Sequence, residues 1–200
     1  MHFKKSVVII FASLLIATIT FGAEKYQIDL AHSSVSFTVK HLMISNVKGE
    51  FRDFSGTIMF DDKDISKSSV AVTIKAASIN THDDKRDGHL RSPDFFDSEK
   101  YSDITFTSKR AEKQGDGWVL VGDLTIKNVT KEVAFPFTLA GPITDLGGNK
   151  RIAAQGSLPI NRLDYGVSWN KNLDNGGVLV GNAVNLDIEV EAILAKEGTH

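Results

Sequence analysis

Apolar and polar residues alternate along almost the whole chain after residue 24, and this alternation constrains the fold more than any other feature. Val35, Phe37 and Val39 fall on one side of an extended segment, with Ser34, Ser36, Thr38 and Lys40 on the other. A period of two is the signature of a strand with one buried face. The pattern recurs at Val70, Val72, Ile74 and Ala76, at Ile104 and Phe106, and at Leu120, Gly122, Leu124 and Ile126. It continues through Val129, Val133, Phe135, Phe137 and Leu139, then Ile152, Ala154, Gly156, Leu158 and Ile160, and ends on Val184, Leu186, Ile188, Val190 and Ala192. Residues 46–60 also read as extended, with Gly49 and Gly56 marking bends or bulges. Turn chemistry separates the segments: Asp61-Asp62-Lys63-Asp64, Gln114-Gly115-Asp116-Gly117, Lys127-Asn128, Asp145 to Asn149, and Asn175-Gly176-Gly177.

About eight antiparallel strands with one apolar face must bury that face, either in a sandwich or by closing into a barrel. Strands of ten residues or so would leave long open edges in a flat sheet, which favours closure. Bulky inward residues also alternate with small ones (Gly49, Gly56, Ala76, Ala154, Gly156), as in barrels that keep a lumen. A fully packed sandwich core is the alternative.

The N-terminus reads as a secretory signal over residues 1–23. Lys4 and Lys5 precede an apolar run from Val7 to Ile19, and small residues allow cleavage after Gly22 or Ala23. The run is short for a membrane span, and no stop-transfer pattern follows. The expected mature domain, 24–200, is exported. It carries 21 basic against 25 acidic side chains, a balance that argues against nucleic acid as a partner. The chain has no cysteine, so disulfides, thiol catalysis and thiolate metal sites are excluded.

One segment breaks the alternation. Residues 80–101 gather His82, Asp83, Asp84, Arg86, Asp87, His89, Arg91 and the pair Phe95-Phe96 between two strands, with room for short helical turns at 83–91 and 93–99. Such an insert belongs at the mouth of a barrel. Arg86, His89 and Arg91 are candidates to hold the polar head of an amphiphile, with Leu90, Phe95 and Phe96 as an apolar lid. Equally, Arg86 and Asp87 serve to tie the insert down, and Phe95-Phe96 serve as a cork. Arg162, Asp164 and Tyr165 carry the same ambiguity near another loop. Asp83, Asp87, Gly88 and Asp94 graze a calcium-loop spacing, but Lys85 would place an ammonium among the ligands. The histidines show no metal-binding spacing. His32-Ser33 and Asp87-x-His89 lack the Gly-x-Ser-x-Gly context of a hydrolase. No metal, cofactor or catalytic set is expected.

The segments Ile28-Asp29-x-x-His32-Ser33-x-Val35-x-Phe37-x-Val39-x-His41-Leu42 and Ser45-x-Val47-x-Gly49-x-Phe51-x-x-Phe54-x-Gly56 resemble the opening of the YceI-like, or polyisoprenoid-binding, family. The resemblance continues through Asn80-Thr81, Arg86-Asp87-x-His89-Leu90-x-Ser92-x-Asp94-Phe95-Phe96-Asp97, Tyr101, Gly122 to Ile126, Val129-Thr130-Lys131 and Arg162-x-Asp164-Tyr165-Gly166. Three positions depart from the family pattern: Tyr26 where tryptophan is usual, Ser102 for proline and Asn128 for glycine. The resemblance implies an all-β, extended eight-stranded antiparallel, lipocalin-like barrel with a short helical insert. It implies a non-enzymatic periplasmic carrier of a long-chain isoprenoid, quinone or fatty amphiphile, with transient contact to a membrane or membrane protein. The alternative is an enzyme or accessory factor acting on a lipid or redox partner. On this reading the candidate ligand contacts are Phe37, Val39, Leu42, Phe51, Phe60, Ile74, Phe106, Leu124, Phe135 and Phe137, with Arg86, His89, Leu90, Phe95 and Phe96 from the insert.

Overall fold

The structure, a computed structural model, describes residues 22–174 and 176–196; the expected signal segment falls almost wholly outside them. The alternation becomes strands β1 (Glu24–Ile28), β2 (Ser34–His41), β3 (Ser45–Phe51), β4 (Phe54–Phe60), β5 (Ser69–Lys75) and β6 (Ile79–Asn80). A single helix, α1 (Asp84–Arg91), follows, and then β7 (Asp103–Gln114), β8 (Gly117–Ile126), β9 (Val129–Thr144), β10 (Lys150–Asn161) and β11 (Val180–Leu194).

The register shows that the first six strands are three long ones, each interrupted once. Tyr26 pairs with Ile58 and Phe37 with Gly49, so β1 and β2 together run antiparallel to β4 and β3. Phe54 pairs with Ile74 and Phe51 with Ile79, so β5 and β6 continue the meander. A 3₁₀ turn at Leu30–His32, capped by the Asp29 carboxylate on the Ala31 N–H, breaks the first strand. Arg52 and Asp53 break the second, so the interruption expected at Gly49 and Gly56 lies elsewhere. Counted this way, eight antiparallel strands form the wall. Closure comes from β11, which pairs with β10 along one edge and with β1 and β2 along the other, as in Tyr26↔Leu194 and Phe37↔Leu186. Because β11 pairs on both sides, the first and last strands present no open edge where they meet.

The hairpins use the turn chemistry of the sequence. Lys127 and Asn128 have φ of 48° and 65°, the left-handed pair that a two-residue hairpin needs. Asn128 thus takes the place of the family's glycine without losing the turn.

The inward glycines have a different role from the one the pattern suggests. A Cβ built on Gly49 would lie 2.4 Å from the Phe37 ring, one on Gly122 2.6 Å from Phe106, and one on Gly156 3.0 Å from Phe135. Each glycine therefore seats a phenyl ring from the neighbouring strand rather than simply leaving lumen. The core has two parts. Tyr26, Phe60, Ile152 and Ala192 close one end of the barrel, with Tyr26 fully buried and edge-on to Phe60 at 6.1 Å. A larger cluster runs from Val35, Phe37 and Phe51 to Phe95, Tyr165 and Val167 at the other end. Outside the wall, Arg151 joins β10 to Asp29, Asp145 and Glu191, a network beside the seam where the first and last strands meet.

The apolar cavity and its covered end

Inside the wall lies a cavity of about 250 Å³ whose exposed surface is almost wholly carbon. That exceeds the roughly 150 Å³ apolar void that stays dry in water. It approaches the size of ordinary small-molecule pockets, about 300–1,000 Å³. The alternation explains the lining, because inward positions of all the long strands converge on one axis.

Of the fifteen residues singled out in the sequence, twelve line this space: Phe37, Val39, Phe51, Phe60, Ile74, Leu90, Phe95, Phe96, Phe106, Leu124, Phe135 and Phe137. Leu42, Arg86 and His89 do not. Leu42 sits in the β2–β3 turn with φ 52°, its N–H donating to the Leu179 carbonyl. Arg86 donates through Nε to the Thr81 hydroxyl at 2.7 Å and through Nη2 to the Thr81 carbonyl at 2.8 Å. Arg91 donates to the carbonyls of Ala77 and Ile79. Both guanidinium groups are thus engaged with backbone at the root of the insert, which favours the tying role over the ligand-head role of the two that the sequence left open. Asp87 belongs to the same tie. It is 1% exposed and accepts from the Thr81 N–H. Asp83 caps α1 by accepting from the Arg86 N–H at 3.0 Å, as the spacing at the helix start requires.

With its backbone fixed, the insert lays Phe95 and Phe96 across the end of the cavity. Phe96 is edge-on to Phe51 at 5.8 Å. Phe95 and His89 both contact Trp169, at 5.2 and 4.8 Å between ring centroids. His89 is further held by Asp94, with Nε2 2.8 Å from the carboxylate. Trp169 is the notable residue that the sequence did not flag, since a lone aromatic in a loop has no periodicity to reveal it.

The same end carries Arg162, the one charged side chain of the lining among the described residues, which is 5% exposed. It donates to the carbonyls of Gly181 at 2.9 Å, Val167 at 2.5 Å and Trp169 at 3.0 Å, with longer contacts to the Val180 carbonyl and the Asn182 side chain. None of these acceptors is a carboxylate. Burial pushes its pKa below the ordinary arginine value, and the guanidinium keeps its charge. Its neighbour Tyr165 also lines the cavity and is 2% exposed. Burial, and secondarily the charge of Asp164, raise the Tyr165 pKa.

Among the described residues one group has metal-capable spacing: ligand atoms of Asp29, His32 and Glu191 lie within 4.8 Å of one another. Arg151 Nη1 already donates to both carboxylates, at 2.8 Å to Asp29 and 2.5 Å to Glu191. The guanidinium therefore stands where a cation would. No helix among the described residues is long and apolar enough to cross a membrane.

Known proteins share this fold. The YceI-like domain matches residues 26–192. UPF0312 protein SAS2572 of Staphylococcus aureus strain MSSA476 is 37% identical over 167 residues, covering 83% of this chain and 95% of that protein. BcnA from Burkholderia cenocepacia superposes with a TM-score of 0.72 at 28% identity, over 82% of this chain and 98% of its own. The Campylobacter jejuni YceI protein gives 0.66 at 37% identity, over 78% and 90% of the two chains. A polyisoprenoid binding domain from Saccharophagus degradans shares the fold, with a TM-score of 0.64 at 18% identity over 85% and 98%. From the domain match across most of its length, relatives more than a third identical and a barrel of the same build, the chain belongs to the YceI-like family.

Proposed function

We propose that this protein is a carrier or buffer of a long-chain amphiphile, and that the isoprenoid-tailed lipids, quinones among them, are its ligand class. One observation carries the reading: a closed barrel of phenylalanine, isoleucine, leucine and valine side chains surrounds an apolar cavity that runs from Phe60 and Ile152 to Phe95 and Tyr165. Moving a five-carbon unit from water into such a space contributes about 3–4 kcal/mol of gross transfer free energy, at about 0.8 kcal/mol per carbon. A few units offset the cost of immobilising the ligand without any specific contact. The shared fold with a polyisoprenoid binding domain is consistent with this reading.

Among the described residues the lining holds no carboxylate pair and no nucleophile–base pair, which favours the binding reading over the enzymatic one. The signal-like N-terminus supports export to the periplasm, where such a lipid needs a protein to cross water.

Organic extraction of the protein purified from its own cells, followed by mass spectrometry, tests the reading. A copurified long-chain lipid at near one per chain is the expected result. An empty protein that also fails to take up a fluorescent apolar probe would overturn it.

A further inference from the structure

We propose that the β2–β3 turn docks the barrel on an anionic lipid bilayer, with Met43 and Ile44 entering the headgroup layer and Lys40 and Lys48 lying against its phosphates. The turn adjoins the covered end of the cavity, so docking sets that end against the membrane. This rests on the carrier reading above and names the surface through which the lipid would be taken up or delivered.

The turn is built against the rules that shape a hairpin in water. Leu42 and Met43 both take the left-handed conformation, with φ of 52° and 63°, in a turn closed by the Ile44 N–H on the His41 carbonyl. Asparagine and glycine are the residues that such a turn favours, and bulky apolar ones there carry a conformational cost. Burial does not repay it, since Met43 is 54% and Ile44 83% exposed and neither lines the cavity. Leu163 exposes a further apolar side chain at this end. The Leu42 N–H donates to the Leu179 carbonyl, which seats the turn beside the stretch that carries Trp169.

Charge points to the partner. Thr38 pairs with Lys48 and Lys40 with Asn46, so both lysines project from the outer face of the hairpin, opposite Phe37 and Val39. Both are exposed, and neither has a carboxylate partner among the described residues. Residues 38–49 contain no acidic side chain, and Val180 to Val184 on the flanking β11 carry no charge. The nearest carboxylate along β3, Glu50, is paired with Arg52, and in the adjoining stretch Lys171 is offset by Asp174. Salt screens charges beyond about 10 Å, so this local excess counts for more than the slightly acidic balance of the whole chain.

A three-residue tip is far short of the roughly 800 Å² per partner that a stable protein interface buries. A bilayer interface needs only apolar side chains to insert and cations to meet its anionic lipids. Ile143 and Leu146 are also exposed, at the opposite end, but Lys150 there is paired with Glu24 and Arg151 with Asp145.

The test sediments the protein purified from its own cells with sucrose-loaded vesicles, either phosphatidylcholine alone or phosphatidylcholine and phosphatidylglycerol in equal parts. The wild type should bind the anionic vesicles and bind phosphatidylcholine alone more weakly. Met43→Ser with Ile44→Ser should weaken binding by about tenfold or more. Lys40→Gln with Lys48→Gln should weaken it about fivefold for each lysine on anionic vesicles only. Leu146→Ser, which removes an exposed leucine from the other end, should bind as the wild type does. In solution, displacement of N-phenylnaphthylamine by sixteen-carbon hexadecanoate should be the same in every variant, which shows the barrel intact. A wild type that leaves both vesicles bare, a serine pair that sediments like wild type, or an equal loss in Leu146→Ser would overturn the docking surface and leave the carrier reading standing. A wild-type dimer that the serine pair dissolves would assign the tip to a second copy and overturn it too. Vesicle binding without any uptake of the probe would overturn the carrier reading instead.

Discussion

The carboxylate of Asp87 holds Thr81 twice, accepting from its backbone N–H at 2.9 Å and from its hydroxyl at 2.5 Å. Arg86 grips the same threonine from the other side, through its hydroxyl and carbonyl. One buried residue thus fixes the start of the insert, and the pair of charges beside it belongs to the fold rather than to a ligand.

Asp87→Ala should therefore lower stability by about 3 kcal/mol, since two hydrogen bonds to a charged group are lost and two donors are left buried. Arg86→Ala should lower stability too and leave lipid affinity unchanged. Urea unfolding monitored by circular dichroism checks the first, and probe displacement the second. An Arg86→Ala protein of normal stability that binds lipid more weakly would return the ligand head to the insert.

Two neighbouring small residues of β10 should respond oppositely to enlargement. Gly156 has the Phe135 ring over it, so Gly156→Ala already crowds that ring and Gly156→Phe should cost about 1–3 kcal/mol or more. Ala154 lines the cavity. Ala154→Phe should hold apo stability within about 1 kcal/mol, by filling space that is otherwise empty. It should weaken sixteen-carbon probes several-fold more than eight-carbon ones. Thermal unfolding and the displacement assay together decide it. Equal losses at both chain lengths would mean that the tail does not reach Ala154.

The wall of the barrel was legible because a period of two is local: Val35, Phe37 and Val39 announce their shared face without any knowledge of partners. The insert was legible because it alone breaks that period. What escaped was the assignment of the arginines. Arg86 and Arg162 look equally available in the sequence. Arg162 is bound by carbonyls 18 and 19 residues away, on Val180 and Gly181, a relation that only the closed barrel creates. Gly49 and Gly156 were misread for the same reason. A glycine's local signal is a bend, while here the rings of Phe37 and Phe135 on adjacent strands require it. Trp169 had no local signal at all.

The Arg151 network sets an acid limit on stability. Hydrogen bonds from Arg151 hold the Asp145 carboxyl far below the ordinary carboxylate range, and those from Arg151 and then His32 hold Asp29 below it. A carboxylate with a depressed folded pKa contributes stability that is complete above its unfolded value, about 4, and is lost as pH falls through the folded value. Arg151→Met should therefore reduce the melting temperature by a constant amount from pH 5 to 8, with the gap from wild type narrowing below about pH 4. Melting curves across that range check it. A gap that widens in acid would contradict the assignment.

The covered end of the cavity is latched by an aromatic contact between two separate segments. His89 and Phe95 belong to the insert, whereas Trp169 belongs to the stretch between β10 and β11 that Arg162 holds through the Val167 and Trp169 carbonyls. Neither segment is bonded to the other in a strand ladder, so the rings are what oppose their separation. Aromatic pairs of this kind contribute about 0.5–1.5 kcal/mol each beyond their buried area. Losing the Trp169 contacts to His89 and Phe95 should shift the balance between closed and open ends by roughly tenfold. Trp169→Ala should thus speed the release of bound hexadecanoate by about that factor, measured by stopped-flow displacement, while the unfolding midpoint in urea moves little. The comparison variant is Trp118→Ala on β8, outside the cavity lining, which should leave the release rate unchanged. If Trp169→Ala releases the lipid no faster than wild type, the ligand leaves at the other end, past Ile65 and Ser69, and the aromatic contact serves only to hold the insert in place.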